Sequence, residues 1–403
     1  MIELGSIDAD VSDSAYKAYT STVEQLTRRP LADIAAGVDK IVVKRLPTNT
    51  PAIMSVAQVQ QALKNLGFFP GTSIDGICGY RTQSAVRLFQ EYVRSVEKLA
   101  STPDGQFGPK SQAHLQRWLD NKLQTVWAPI IEAWKNGATG AGEYADWIAL
   151  LERVKQQALA SPTRVQKMVN DFSGKSDTRK VAQWDFSTDD NIHLIGIRRN
   201  EMQGKFDDIF ILLLKGLVFK FQGTTEPGAS DNAAGPPFLV PGQHDYHFGW
   251  HQSKYLALRP RSVGVLIVRA GSDKQLDDAD LAKGVEPNGT INIHWGGRGM
   301  TRDVNSWSEG CQTINGTVYI NANDALVDCS AFTASTPSEA MTDAHKTRGA
   351  YNVLLDLVSA LGSDIGGGTV KYTLLTEADL ALSPALADGL TAARARVVQM
   401  ASA

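Results

Sequence analysis

The amino-acid sequence predicts a multidomain α+β chain: a small three-helix module, a helical linker, and a mainly-β domain (sandwich or open barrel) with C-terminal helices. Three observations predict it. An Asp-Gly turn followed by apolar residues at helical spacing occurs twice between residues 52 and 120. From about residue 191, short β-rich runs alternate with Gly/Pro turns, as in sheet sandwiches and barrels. Beyond Ser338 the chain becomes alanine-rich and helical. The expected boundaries are 1–51 for a helical extension, 52–120 for the module, 121–190 for the linker and 191–403 for the β-rich domain.

With 403 residues, 43% of them hydrophobic, the chain can bury two or three ordinary cores. A net charge of −3 gives no electrostatic hold on a phosphate backbone, so nucleic acid is not an expected partner. The longest apolar run, Ile209 to Leu214, is far too short to span a bilayer. Three cysteines, Cys78, Cys311 and Cys329, are too few for a disulfide scaffold and leave at least one thiol free. The acidic, polar start MIELGSIDADVSDSAYKAY lacks the basic-then-apolar layout of a Sec signal.

In chain order, Tyr16 to Leu31 reads as an amphipathic helix, and Pro47 to Pro51 as a boundary by turn chemistry. The duplication follows. Its first copy runs Gln60 … Leu66-Gly67 … Asp75-Gly76-x-x-Gly79-x-x-Thr82 … Phe89-Gln90, and its second Asp104-Gly105-x-x-Gly108-x-x-Ser111 … Trp118-Leu119. In each, Asp-Gly makes a tight turn, and Thr82 or Ser111 stands where it can cap the next helix. Apolar residues three and four apart then pack that helix on its neighbours. This pattern closely resembles the three-helix peptidoglycan-binding domain, and the resemblance implies peptidoglycan as a partner. Cys78 is read as core.

In the linker, Trp127, Ile130, Ile131 and Trp134 share one helical face, and Trp147, Leu150, Leu151 and Val154 another. At that spacing they are core, not sugar platforms. Ser173 to Ser187 is polar and reads as a hinge. Asp208–Leu214 and Leu217–Phe221 about Lys215-Gly216 predict a β-hairpin. Phe238–Val240, Val263–Arg269 and Val370–Leu375 predict further strands, with Gly366–Gly368 as a turn. His244, His247 and His251 invite a zinc reading, with Asp245 or His294 as a further ligand. On a strand, however, His247 and His251 share a face from which His244 points away. No metal or cofactor is therefore assigned. Tyr246 and His251 are instead expected to line a substrate cleft. Arg269, Arg298 and Arg302 are candidate carboxylate clamps, because a guanidinium fork meets a carboxylate in two places.

The stretch Ile291 to Asn315, INIHWGGRGMTRDVNSWSEGCQTIN, concentrates the chemistry. A short alternating apolar run ends in His294, and Ser308-Glu309-Gly310-Cys311 follows after a loop. A thiol becomes an effective nucleophile when an imidazole takes its proton. Gly310 admits close backbone approach, and N–H groups at Gly310 and Cys311 are expected to form an oxyanion hole. The stretch resembles the catalytic signature of the L,D-transpeptidase (YkuD-type) domain, over roughly residues 191–330. Ser308, Gly310 and Cys311 match its ending and His294 its base; Glu309 departs from the family's usual His or Asn. The resemblance implies Cys311 as nucleophile on a peptidoglycan stem peptide, with water or an amine as acceptor. Trp295, Glu309, Tyr246 and His251 are placed with the substrate. Three groups are alternative orienters of His294: the Trp295 carbonyl, Ser308 and Glu309. An inert binding protein and a zinc peptidase are the alternative readings. A wall-directed chain without a Sec-type start fits an effector of the type VI secretion kind, acting in the periplasm after non-classical export; a phage lysis protein is the other route. On that reading the N-terminal helix and the C-terminal helices dock a secretion-apparatus component or an immunity protein.

Overall fold

The computed structural model describes residues 1–27, 41, 43–47, 54–68, 73–137, 140, 142–188, 192–199, 204–228, 233–252, 254–271, 276–299, 303–343, 345–362 and 368–401. Arg302, most of Gly366–Gly368 and the end of the Tyr16–Leu31 segment lie outside them.

The module consists of α2 (Val56–Asn65), α3 (Tyr80–Glu97) and α4 (Pro109–Asp120), preceded by α1 (Asp13–Thr27). Ser55 and Gln58 form a reciprocal capping box at the start of α2, which satisfies donors that the first turn leaves open. The sequence duplication is written in side chains. Gln60 Nε2 donates to Asp75 Oδ1 at 2.8 Å, Ile77 O at 3.1 Å and Thr82 Oγ1 at 2.9 Å. Gln90 Nε2 repeats the set on Asp104, Gln106 O and Ser111. Each glutamine oxygen accepts from the glycine N–H of its turn. Thr82 and Ser111 therefore do not cap: the N-caps are Gly79 and Gly108, without side-chain bonds. Gly76 and Gly105 have φ of 69° and 76°, a region that favours glycine.

The N-terminal extension is stitched into this module. Ile2 bridges to Phe107 and Ile7 to Ile77, and β1 (Ser6–Ile7) pairs with β2 (Lys44–Arg45). The Asp8 carboxylate accepts from Val56 N and Ala57 N at 2.7 and 2.8 Å, neutralising the N-terminal end of α2. Val23 of α1 packs with Tyr80 and Trp250, which anchors the helix, while most of its other side chains are exposed.

The linker supplies α5 (Ala128–Lys135), α6 (Glu143–Ala160) and α7 (Arg164–Asp171). The expected hinge at Ser173–Ser187 is instead fastened down. The Asp177 carboxylate accepts from Ser262 N, Val263 N and Gly264 N. Thr178 Oγ1 bonds the His244 ring.

The β-rich part contains β3 (Ile192–Arg198), β4 (Asp208–Leu214), β5 (Leu217–Thr224), β6 (Pro237–Leu239), β7 (Gly242–His251), β8 (Tyr255–Pro260), β9 (Val265–Arg269), β10 (Glu286–Asn288), β11 (Ile293–Trp295), β12 (Gln312–Ile320), β13 (Leu326–Asp328) and β14 (Val370–Thr376). The β4–β5 hairpin turns at Lys215 (φ 49°) and Gly216 (φ 82°), two left-handed residues as a tight two-residue loop requires. The large sheet runs β11-β8-β7-β14-β3-β4-β5-β12-β13, and β11 also pairs with β12. The expected sandwich or open barrel is therefore a closed ring with β13 appended. Closure is possible because the loop between β11 and β12 carries the chain back, allowing the two strands to run parallel. A separate sheet joins β10, β9 and β6, with the short helix α8 (Asp278–Ala282) beside β9.

One face of the large sheet, with Phe210, Phe219 and Tyr372, shares a core with Leu63 and Phe89 of the module. The other face, with Ile195, Ile211 and Val318, packs on Trp147 and Leu151 of α6 and on Leu390 of the C-terminal helix α10 (Pro384–Ala401). Helix α9 (Ala350–Leu361) is buried at every position. It lies between the sheet and α3, where Arg87 Nε and Nη2 bond the Asp356 carboxylate at 2.6 and 2.8 Å. The C-terminal helices are thus structural: α9 joins module to ring and α10 covers the opposite face. Replacing Arg87 by Ala strands the buried Asp356, whose carboxyl is pushed up by burial and held back by Arg87. We expect a loss of about 3–5 kcal/mol, measured by denaturant unfolding of the full chain.

Candidate active site

The site forms where the ring closes. β11 and β12 are parallel, with Ile293 opposite Gln312 and His294 opposite Thr313. Alternation puts His294 and Thr313 on one face and Asn292 and Cys311, one step back, on the same face. Gln312 N donates to Asn292 O at 2.9 Å. The Gln312 side chain is gripped by Tyr372 and by the Thr225 carbonyl, which sets the start of β12 and hence the place of Cys311.

Cys311 is half-buried. Its Sγ accepts from Asn292 N at 3.3 Å and donates to Thr290 O at 3.2 Å. His294 is buried, and its Nδ1 donates to the Trp295 carbonyl at 2.8 Å. That bond leaves Nε2 as the basic nitrogen. The Tyr255 hydroxyl stands 3.4 Å from the same Nδ1. Among the described residues no hydrogen bond joins the thiol to the imidazole directly; the shared strand face brings them together. Of the expected orienters, the Trp295 carbonyl is the one in contact. Ser308 instead shapes the nucleophile's turn: its Oγ donates to Cys311 O at 2.7 Å and accepts from Gly310 N at 3.0 Å.

Gly310 is a glycine because a Cβ there would lie 2.5 Å from Pro237 Cγ and from the Pro237 carbonyl oxygen. Its N–H is committed to Ser308, so it is not the oxyanion donor expected. The Cys311 N–H has no acceptor among the described residues.

Burial pushes the Cys311 thiol up to about 11, with Glu309 adding to the rise and the Asn292 N–H opposing it. Burial lowers His294 to about 4. The resting pair is therefore a neutral thiol and a neutral imidazole.

The expected substrate residues divide. His251 is at the site: its ring centroid lies 4.1 Å from that of His294, nearly parallel at 23°, and its Nδ1 accepts from Asn292 Nδ2 at 3.0 Å. Tyr246 is fully buried, donates to Ile291 O at 3.0 Å and meets Tyr372 edge-on; it buttresses the strand and does not line a cleft. The Trp295 ring is likewise buried, against Trp307. Arg269 belongs to the small sheet, paired with Glu286 and Gly235 O. Arg298 donates to Ser330 O. Glu309 is exposed and makes no ion pair among the described residues. His244 spends both nitrogens on Thr178 Oγ1 and Val240 O. Among the described residues, no group of three or more His, Cys, Asp or Glu is arranged to hold a metal.

Sequence reasoning missed Asn292, Thr290, Tyr255 and Pro237. Asn292 could have been found, since it alternates with His294 on the strand. The others are brought in by pairings that no local pattern announces.

Residues 55–96 match the family of the peptidoglycan binding domain, which supports the N-terminal module as a domain of that type and ties the chain to the cell wall. Among solved structures, a fused Zn-dependent amidase/peptidase/peptidoglycan-binding domain-containing protein from Clostridium acetobutylicum is similar at 13% identity. The alignment covers 82% of this chain and 100% of that one with a TM-score of 0.21, too loose to carry an argument. Comparison with curated proteins gives no match. Among the described residues no helix is long and apolar enough to cross a membrane.

A thiol held this high should alkylate slowly with iodoacetamide at pH 7, its rate climbing with thiolate fraction and showing no plateau below about pH 9. Glu309→Gln removes a charge that favours the protonated thiol. It should raise the rate at pH 8 by about two- to threefold at low salt, and less at high salt.

Proposed function

We propose that the chain is a peptidoglycan stem-peptide enzyme working by cysteine acyl transfer, with the helical module holding the wall. The observation that carries this is the placement of Cys311 and His294 on one face at the ring closure, in a chain whose module matches a peptidoglycan-binding family.

His294 Nε2 takes the Cys311 proton as Sγ attacks the carbonyl of a diamino-acid–D-alanine bond. The Trp295 carbonyl holds the Nδ1 proton throughout. The developing oxyanion meets the Cys311 N–H. Collapse breaks the C–N bond, the imidazolium proton goes to the leaving amine, and a thioester remains on Cys311. Water then yields a hydrolysed peptide, and an amine yields a cross-link. Both products regenerate the neutral thiol.

Intact-mass measurement after incubation with muropeptides should show a covalent adduct on the wild type and none on Cys311→Ser. Cys311→Ser and His294→Ala should each reduce turnover by at least about a thousandfold, and the double variant should be little worse than either, because the pair acts as a unit. Full turnover in either single variant overturns the proposal.

A further inference from the structure

His251 stands too close to the base to be only a wall of the cleft. Its ring is nearly parallel to that of His294 at 4.1 Å. Its Nδ1 accepts a hydrogen bond from Asn292 Nδ2, the residue whose backbone N–H also reaches Cys311 Sγ. With Nδ2 toward the ring, Nδ1 accepts and the single proton of the imidazole lies on Nε2. Asn292 is itself buried, and its Oδ1 has no hydrogen-bond partner among the described residues.

The groups around His251 agree. Tyr255 packs its ring at 5.5 Å, and burial, His294, Lys254 and Arg259 all disfavour a charge on His251. Tyr255 is covered in turn by the Arg348 guanidinium, 4.3 Å from its ring centre. A charged His251 would also repel the imidazolium formed next to it. A neutral aromatic face beside a new cation does the opposite, through the attraction of a ring's electrons for positive charge.

We propose that His251 is a positioning residue of the base: a neutral ring, hydrogen-bonded to Asn292, that lies flat on His294 and favours the imidazolium formed as Cys311 loses its proton. This rests on the cysteine acyl-transfer reading above. The stack holds the His294 ring plane, and the bond to the Trp295 carbonyl fixes its rotation. Together they leave Nε2 one direction in which to accept a proton.

The test uses the full chain and p-nitrophenyl acetate, a small acyl donor that needs no peptidoglycan. The burst of nitrophenolate reports acylation of Cys311, followed from pH 5.5 to 9. His251→Leu fills the same space without a ring, and His251→Phe restores an aromatic face without a titrating group. The leucine variant should acylate at least tenfold more slowly at pH 7, and by a similar factor across the range in which thiol and imidazole both rest neutral. The phenylalanine variant should stay within about threefold of wild type. Thermal unfolding of both variants identifies any loss that is only instability, and an equal loss with both folded overturns the proposal, as does no loss in either. His294→Ala separates the levels of the argument. If that variant leaves the profile unchanged, the base assignment fails. If it collapses the profile while His251→Leu does not, the role of His251 alone fails.

Discussion

The parallel pairing of β11 with β12 is the constraint on which the rest depends. It closes the ring, and in doing so it sets two distant segments in a register that lines up Asn292, His294, Cys311 and Thr313. Parallel neighbours need a crossover connection, and here that connection is the loop that ends in Cys311. A slip of one residue would turn His294 to the opposite face from Cys311. The Gln312 grip on Tyr372 and the tight seat of Gly310 on Pro237 guard against that slip. Chemistry and closure therefore share the same few residues.

A low-polarity site governs the chemistry that these residues can do. Burial works against charge on both partners, so the pair does not sit as a preformed thiolate and imidazolium. Such a thiol is protected from casual oxidation and alkylation, whose rates follow the thiolate. On the proposed acyl-transfer reading, reactivity depends on what steadies the two charges as they form: a backbone N–H for the oxyanion, a carbonyl for one side of the imidazole and a neutral ring for its face.

Much of this was legible in residue patterns, and the rest was not for physical reasons. The Asp-Gly duplication could be read because turns and helix starts are local. The glutamines that hold both turns, Gln60 and Gln90, were quoted in the motif without their role being visible. The Lys215-Gly216 hairpin was equally local. Cys311 and His294 stand out through the residue types around them, whereas Tyr246, Trp295 and Arg269 are placed with the substrate on side-chain type alone. Strand pairing sent the first two inward and put Arg269 on a different sheet. Ring closure, the burial of α9 and the fastening of Ser173–Ser187 by Asp177 all depend on contacts between distant parts of the chain, which periodicity does not encode.

Helix α9 is flanked by the module on one side and the ring on the other, with Arg87 and Asp356 bolted across the seam. A wall-binding head joined in this way does not range over its substrate on a tether. On the proposed function, whatever strand the head grips would be offered to the thiol at one distance and one angle, as between the fixed jaws of a caliper, and a peptide would be chosen by where it hangs along the strand as well as by what it is.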